Sequence, residues 1–256
     1  MTRFVKQILY GMFYCIVFAS LGFAFYKVII FPSTFSCFDG KMNGTESGVD
    51  CGGDCNDCAL KASESLRISE KPEIFSTESG RAFVLFEITN PNSYFHASRV
   101  DYSMDIYGVS GYVIETVSGS DAVFASEQRF IYVDGIKTLS KNIDKINVNL
   151  GEIAWQATKE IILPEITVLK NIETVIENGA LKVTGFIKNQ SSLSAEEVRL
   201  IAILKNSFGE KIFPGQTLIS NIAPFEERQF TILFPRDEYI SKNIDVKATE
   251  VFAYRK

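Results

Sequence analysis

The feature that most constrains this 256-residue chain is an uninterrupted apolar run near its N-terminus. From Ile8 to Tyr26 no side chain carries a charge, and after Lys27 the run closes with Val28, Ile29, Ile30 and Phe31 before Pro32. A helix rises about 1.5 Å per residue, so roughly 20 such residues cross the ~30 Å hydrocarbon core of a bilayer. The run predicts a membrane-spanning helix and is too long for an ordinary buried core helix. Lys27, near its far end, is expected to snorkel to the interface. Arg3 and Lys6 precede the run and no acidic residue occurs before Asp39, a bias that favours a cytoplasmic N-terminus with the remainder translocated. A cleaved secretory signal is the competing reading. Its apolar core usually spans about 7–15 residues and ends in small side chains, whereas this exit is bulky and branched. Cys15, deep in the run, reads as a small apolar membrane residue.

Charge follows the same division. The chain is formally −5, with 26 basic and 31 acidic residues, yet the apolar stretch and its flanks carry only Arg3, Lys6 and Lys27. The rest is mildly acidic, which leaves no electrostatic footprint for nucleic acid. The length beyond the anchor suffices for two ordinary domains. The expected organisation is a cytoplasmic N-terminus and anchor over 1–34, a cysteine-rich spacer over 35–60, and β-sandwiches over 61–160 and 161–256.

The remaining four cysteines, Cys37, Cys51, Cys55 and Cys58, fall in one segment with spacing C-x13-C-x3-C-x2-C. Apart from Phe38, Met42 and Val49 there is little in it to bury, so it needs staples. In a translocated segment these cysteines read as two disulfides with three open pairings; in a cytosolic one, four thiolates would favour zinc. Acidic and amide side chains alternate with glycines here. Asp39, Asn43, Glu46 and Asp50 are the candidate ligands of a calcium ion, which takes six to eight oxygens on a tightly turning loop. Lys41 stands where an EF-hand loop needs an oxygen ligand, so the segment is not an EF-hand. The alternative is a solvated acidic loop on a disulfide knot. The text from Cys37 to Cys58 resembles a short C-x-D-G-x-x-N-G-x-E-x-x-x-D-C-G-G-x-C-x-x-C repeat of bacterial surface and secreted proteins, a resemblance that implies an extracytoplasmic spacer.

From Leu66 onward, short alternating apolar runs are separated by turn residues. An internal repeat is visible: Phe86-Glu87-Ile88-Thr89-Asn90 answers Gly185-Phe186-Ile187-Lys188-Asn189. Arg99-Val100-Asp101-Tyr102 answers Glu197-Val198-Arg199-Leu200, Phe130 answers Phe230, and Ser140-Lys141-Asn142-Ile143-Asp144 recurs as Ser241-Lys242-Asn243-Ile244-Asp245. The near-constant offset predicts a tandem duplication. Each copy reads as a β-sandwich of about seven strands. The first is expected over Leu66–Phe75, Ala82–Thr89, Val100–Tyr107, Tyr112–Val117, Gln128–Val133 and Ile146–Trp155. The second is expected over Ile166–Ile176, Leu181–Lys188, Val198–Leu204, Lys211–Phe213, Gln216–Ile222, Gln229–Phe234 and Ile244–Ala253. Asn178-Gly179 is a strong hairpin signal and Pro214-Gly215 a turn signal.

Phe86-Glu87-Ile88-Thr89-Asn90-Pro91-Asn92, with Val100-Asp101-Tyr102 and Ile106-Tyr107-Gly108, resembles the late-embryogenesis-abundant type 2 β-sandwich. Gly185-Phe186-Ile187-Lys188-Asn189 with Gly209-Glu210-Lys211-Ile212 is similar to the bacterial FxLYD-type domain, although the eponymous stretch reads Ile201-Ala202-Ile203-Leu204-Lys205. The fold class is therefore all-β: two tandem Ig-like or LEA-type sandwiches behind one transmembrane helix and a small disulfide-rich segment. The resemblance implies binding or spacer domains without catalytic centres.

Catalytic constellations are not legible. His96 is the only histidine and is expected as an ordinary loop residue; no G-x-S-x-G or phosphate loop occurs. Asp101 and Asp105 share a face expected to be solvated. Trp155 is expected to fill an interdomain core rather than stack on a sugar. Asn43 and Asn189 head glycosylation-type triplets, which the bacterial resemblance discounts. The final strand is expected to end without a sorting tail. The expected function is a non-enzymatic, envelope-anchored interaction or assembly module outside a single-pass membrane anchor, holding another envelope protein by sandwich edges or end loops. The alternative is a receptor for a carbohydrate or other small ligand, which would need a concave site around Trp155, Tyr94 and Phe95.

Overall fold

The computed structural model describes residues 3–30, 36–177 and 180–255, and the chain divides into two units, Met1–Ser63 and Glu64–Lys256. The expected Asn178-Gly179 turn lies outside the described residues; the strands flanking it pair from Glu177 opposite Ala180.

In the first unit, α1 (Arg3–Ile30) is one continuous helix of 28 residues. Over Arg3–Phe23 it is long and apolar enough to cross a bilayer, and none of that window is buried. In the segment that follows, the cysteines pair as Cys37–Cys55 and Cys51–Cys58. Among its described residues only Glu46 and Cys51 are buried, while Phe38, Met42 and Val49 are exposed. Cross-links and turn hydrogen bonds take the place of a core. Gly53 sits at φ +60°, and a Cβ there would fall 2.0 Å from the Thr45 carbonyl oxygen, so the tight turn requires glycine on both counts. A single helical turn, α2 (Cys58–Lys61), closes the segment, with the Asp57 carboxylate accepting the Ala59 N–H at 2.9 Å.

The second unit holds two copies of one topology. In the first copy, β1 (Arg67–Ile68) and β2 (Glu73–Ser76) lie end to end along one edge of β3 (Ala82–Thr89), with β6 (Gln128–Val133) along the other. The facing sheet runs β5 (Val113–Val123), β4 (Phe95–Gly108), β7 (Ile143–Ala157). In the second copy, β8 (Ile166–Val168) and β9 (Glu173–Glu177) share one edge of β10 (Ala180–Asn189), with β13 (Glu227–Leu233) opposite. Its facing sheet runs β12 (Lys211–Ile222), β11 (Ala195–Lys205), β14 (Glu250–Arg255). All pairings are antiparallel.

Several boundaries differ from the sequence reading. Each expected first strand is broken, over Ser69–Pro72 and over Leu169–Ile172. The segments expected on either side of Pro214-Gly215 form the single strand β12. Among the described residues it pairs only with β11, and an edge strand tolerates proline because a missing donor on its open side costs no ladder bond. The second copy of the repeated pentapeptide ends a helix, α3 (Glu238–Asn243), N-capped by Asp237, whose side chain accepts the Ile240 N–H at 3.1 Å. The first copy of the pentapeptide forms a 3₁₀ turn over Ser140–Asn142 and opens β7 at Ile143. Phe230, opposite Gly185, corresponds to Ile131, opposite Phe86, rather than to Phe130.

Alternation within β3 sets the architecture. Val84, Phe86 and Ile88 enter the core of the first sandwich with Val100, Met104 and Ile106 of β4. The intervening Phe83 and Leu85 belong to a second core, with Ile201 and Ile203 of β11. On β11, Val198, Leu200, Ala202 and Leu204 alternate with these isoleucines and are buried in the same core as Leu181, Val183 and Ile187 of β10. Both β3 and β11 are thus buried on two faces, and the unit is a stack of four sheets. Phe83 meets Phe213 edge-on with ring centroids 5.1 Å apart, and Phe130 meets Phe252 at 5.0 Å. These contacts join the copies.

Candidate functional site

The duplication is written into local hydrogen bonding. Asn90 donates through Nδ2 to the carbonyls of Phe95 and Val123 at 2.9 and 3.1 Å, and its Oδ1 accepts the Asn92 N–H. Asn189 repeats this with Leu193, Ala223 and Ser191. Both asparagines are fully buried, so Asn189 is no glycosylation acceptor. Glu127 accepts the Phe124 N–H at 2.7 Å, and Glu226 accepts the Ala223 N–H at 2.7 Å. Next to these turns, Ser126 and Phe225 hold the same left-handed backbone, at φ 56° and 59°.

The copies diverge at the arginine two residues on. Arg228 is partly exposed and caps the carbonyls of Ser220 and Asn221. Arg129 is 1% exposed, donating to Asp121 at 2.8 Å, to both Glu127 oxygens at 3.2 and 3.3 Å, and to the Arg255 carbonyl at 2.8 Å. Arg199, from the second copy, reaches the other oxygen of Asp121. Arg129 also lies over the rings of Phe124 and Tyr254, 5.3 and 5.0 Å from their centroids. Burial pushes the Tyr254 phenol well above its ordinary range, and its oxygen accepts the Phe130 N–H at 3.1 Å. Sequence reading missed this cluster. Asp121, Arg129 and Arg199 carry no shared spacing, and the only cue is a lone charge inside each of three β-patterned runs.

His96 is not a loop residue. It lies in β4, is buried, accepts the Ala125 N–H at Nδ1 over 2.9 Å and packs edge-on against Phe124. Burial, with the Arg255 charge adding to it, lowers its pKa. Trp155 does not fill an interdomain core; it is half-buried against the core of the first sandwich. Phe95 is buried and Tyr94 exposed, so two of the three rings proposed for a sugar site are committed to packing.

The four candidate calcium ligands do come together. Asp50 accepts the N–H groups of Asp39 and Gly40 at 2.9 Å each, and Glu46 accepts those of Asn43 and Asp50 at 3.1 and 3.2 Å. Asp39 accepts from the Lys41 N–H and from Asn43 Nδ2, both at 2.9 Å, and these bonds, the Asn43 one foremost, hold its carboxyl below the usual range. The carboxylates are therefore aimed at backbone amides of their own loop, a role that competes with a cation for the same lone pairs.

Three open surfaces of the second unit stand out among the described residues. The outward face of the β5–β4–β7 sheet carries Asp101, Ser103 and Asp105 in the alternation register that Arg199, Ile201 and Ile203 occupy in β11. It is polar and holds a shallow concavity of about 530 Å³ lined by Ser103, Ser118, Ser120 and Asn149. The β4–β5 hairpin tip exposes Val109 and Tyr112, and the matching β11–β12 tip exposes Phe208. Between the β1/β2 edge and the first third of β7 runs a groove of about 620 Å³ lined by Ile68, Ile74, Ile146 and Val148, with Glu70, Lys71, Asp144 and Lys145 at its rim.

No protein-family model matches the chain, and none of the curated proteins matches its sequence. Solved structures with partial similarity include the exo-chitosanase of Amycolatopsis orientalis, at 14% identity and TM-score 0.25, covering 73% of this chain and 26% of that chain. Red sea bream transglutaminase is similar at 12% identity and TM-score 0.22, covering 75% of this chain and 31% of that one. The chain spans between a quarter and a third of these enzymes, and likeness at this level carries no argument about activity.

Proposed function

We propose that this protein is a membrane-anchored, extracytoplasmic interaction module of the cell envelope, non-catalytic, with α1 as an uncleaved anchor and the disulfide segment as its spacer. The tandem sandwiches belong, in this reading, with late-embryogenesis-abundant type 2 and FxLYD-like binding domains. The observation that carries it is a contrast in how side chains are used. The only histidine and the buried carboxylates Glu46, Asp121 and Asp237 are all engaged in structural hydrogen bonds. Large apolar side chains meanwhile stand free at the hairpin tips, Val109 at 82%, Tyr112 at 76% and Phe208 at 88% exposure. Catalysis needs polar groups converging on an open site, whereas docking needs exposed apolar anchors.

Two measurements test this. A membrane-impermeant maleimide applied to intact cells should label Cys37, Cys51, Cys55 and Cys58 only after reduction. Labelling only in permeabilised cells, without reductant, would invert the topology and sink the extracytoplasmic reading. A photo-reactive side chain at Tyr112 or Phe208 should then crosslink to one defined envelope protein, and the same group at Thr231 should not. Absence of any crosslink from either tip would remove the interaction role.

A further inference from the structure

The two copies differ at one lateral opening. In the second copy the side between the β9 edge and the β14 edge is bridged by Thr174 and Thr249, whose hydroxyls lie 2.8 Å apart. Arg255 adds a hydrogen bond to the Pro164 carbonyl at 2.9 Å. The first copy places isoleucines at the same two points. Ile74 lies opposite Val84 as Thr174 lies opposite Val183. Ile146 precedes Asn147, opposite Asp105, as Thr249 precedes Glu250, opposite Ile203. No bond spans the gap between Ile74 and Ile146 among the described residues, and the groove of about 620 Å³ opens there, with Ile74 38% exposed.

One wall of the groove is a strand edge. β7 pairs only with β4, and among the described residues no strand, loop or side chain bonds to its outer edge from Asp144 to Val148. A row of unpaired N–H and C=O groups beside an apolar floor is matched by one kind of ligand, an extended chain. The rim adds little net charge. The two acids Glu70 and Asp144 are matched by the two lysines Lys71 and Lys145.

We infer that this groove binds an extended segment of a partner protein, added as a strand to the free edge of β7, with alternate apolar side chains entering between Ile74 and Ile146. This deepens the interaction-module reading and rests on it. Five paired residues would span about 17 Å, and every second side chain would face the floor. Near-neutral charge and apolar alternation are the recognition features of the occupant.

The test uses the full chain in nanodiscs and a phage-displayed library of random linear nine-residue peptides. Selected peptides should carry apolar residues at alternate positions. On binding they should slow amide exchange between Asp144 and Val148. The I74T/I146T variant, which reproduces the closed side of the second copy, should bind them at least tenfold more weakly. N-methylation of alternate peptide residues should weaken binding tenfold at one parity and leave the other parity unchanged, a readout that needs no variant of the protein. Peptides without alternation, binding unmoved by I74T/I146T, or equal tolerance of N-methylation at both parities would each overturn the groove assignment. None of these would touch the hairpin-tip crosslinks that test the broader reading. Failure of the selection to enrich any peptide would also overturn it, as would an I74T/I146T-sensitive dimer of the chain without peptide binding, which would make a second copy the occupant.

Discussion

Asp121 is 1% exposed at its side chain and held from both copies, by Arg129 of the first and Arg199 of the second. Removing one partner of a buried pair strands the other charge away from water, which costs far more than the pair's net contribution. Asp121→Ala should therefore lower stability by about 3–5 kcal/mol in chemical denaturation. An Asp121→Leu/Arg129→Met double variant should cost less than the sum of its single variants, the signature of direct coupling. His96 offers a second test at this scale. Its pKa is lowered by burial and by Arg255, so the unfolded chain takes up the proton first as pH falls below about 6.5. Stability is full above that point and declines as pH falls toward the folded-state pKa. His96→Gln keeps an acceptor for the Ala125 N–H and should flatten this slope, read from denaturation midpoints on either side of pH about 6.5.

β4 and β11 descend from one pattern and do different things with it. Their inward rows are alike in being apolar and buried: Val100, Met104 and Ile106 against Val198, Ala202 and Leu204. Their outward rows are not, because one faces solvent and the other the neighbouring copy. A charge at Ile203, fully buried, must be desolvated against Phe83 and Leu85. Ile203→Asp should cost several kcal/mol, whereas Asp105→Lys at the matching outward position, which gives up exposed hydrogen bonds from Thr116 and Asn149, should cost about 1 kcal/mol. Equal effects in thermal denaturation would mean that the copies do not pack through β11. The contrast was partly legible beforehand. The unbroken apolar runs Ala82–Phe86 and Leu200–Leu204 are too continuous for a sheet with one wet face. The buried cluster around Arg129 was not legible, because it exists only where four separate strands, β5, β6, β11 and β14, converge.

At the scale of the whole molecule, the stack of four sheets ends in largely polar outer surfaces, Leu233 being an exposed exception. Asp101, Ser103 and Asp105 face outward on one side, Lys182 and Thr184 on the other. Repeat arrays need such faces to stop propagating. Apart from the Asp121–Arg129–Arg199 cluster the interior seam is mostly apolar, and side chains such as Phe83, Leu85, Ile201 and Ile203 each gain about 1.5–3 kcal/mol from burial. Neither half has a substitute for that burial. The unit Glu64–Lys256 should consequently unfold in one transition, and residues 64–160 or 161–256 expressed alone should aggregate or remain unfolded. Two separable calorimetric transitions would contradict this.

The sequence by itself determined the apolar helix, the cross-linked segment after it, the all-β class and the duplication. These rest on local signals: run length, cysteine spacing, alternation with period two, and the recurrence of one text at a near-constant offset. The cysteine pairing, the fusion of the copies face to face, the burial of His96 and Arg129, and the open side of the first sandwich were decided only by tertiary structure. Each depends on which face meets which, and alternation marks that a strand has two faces without saying what covers the second.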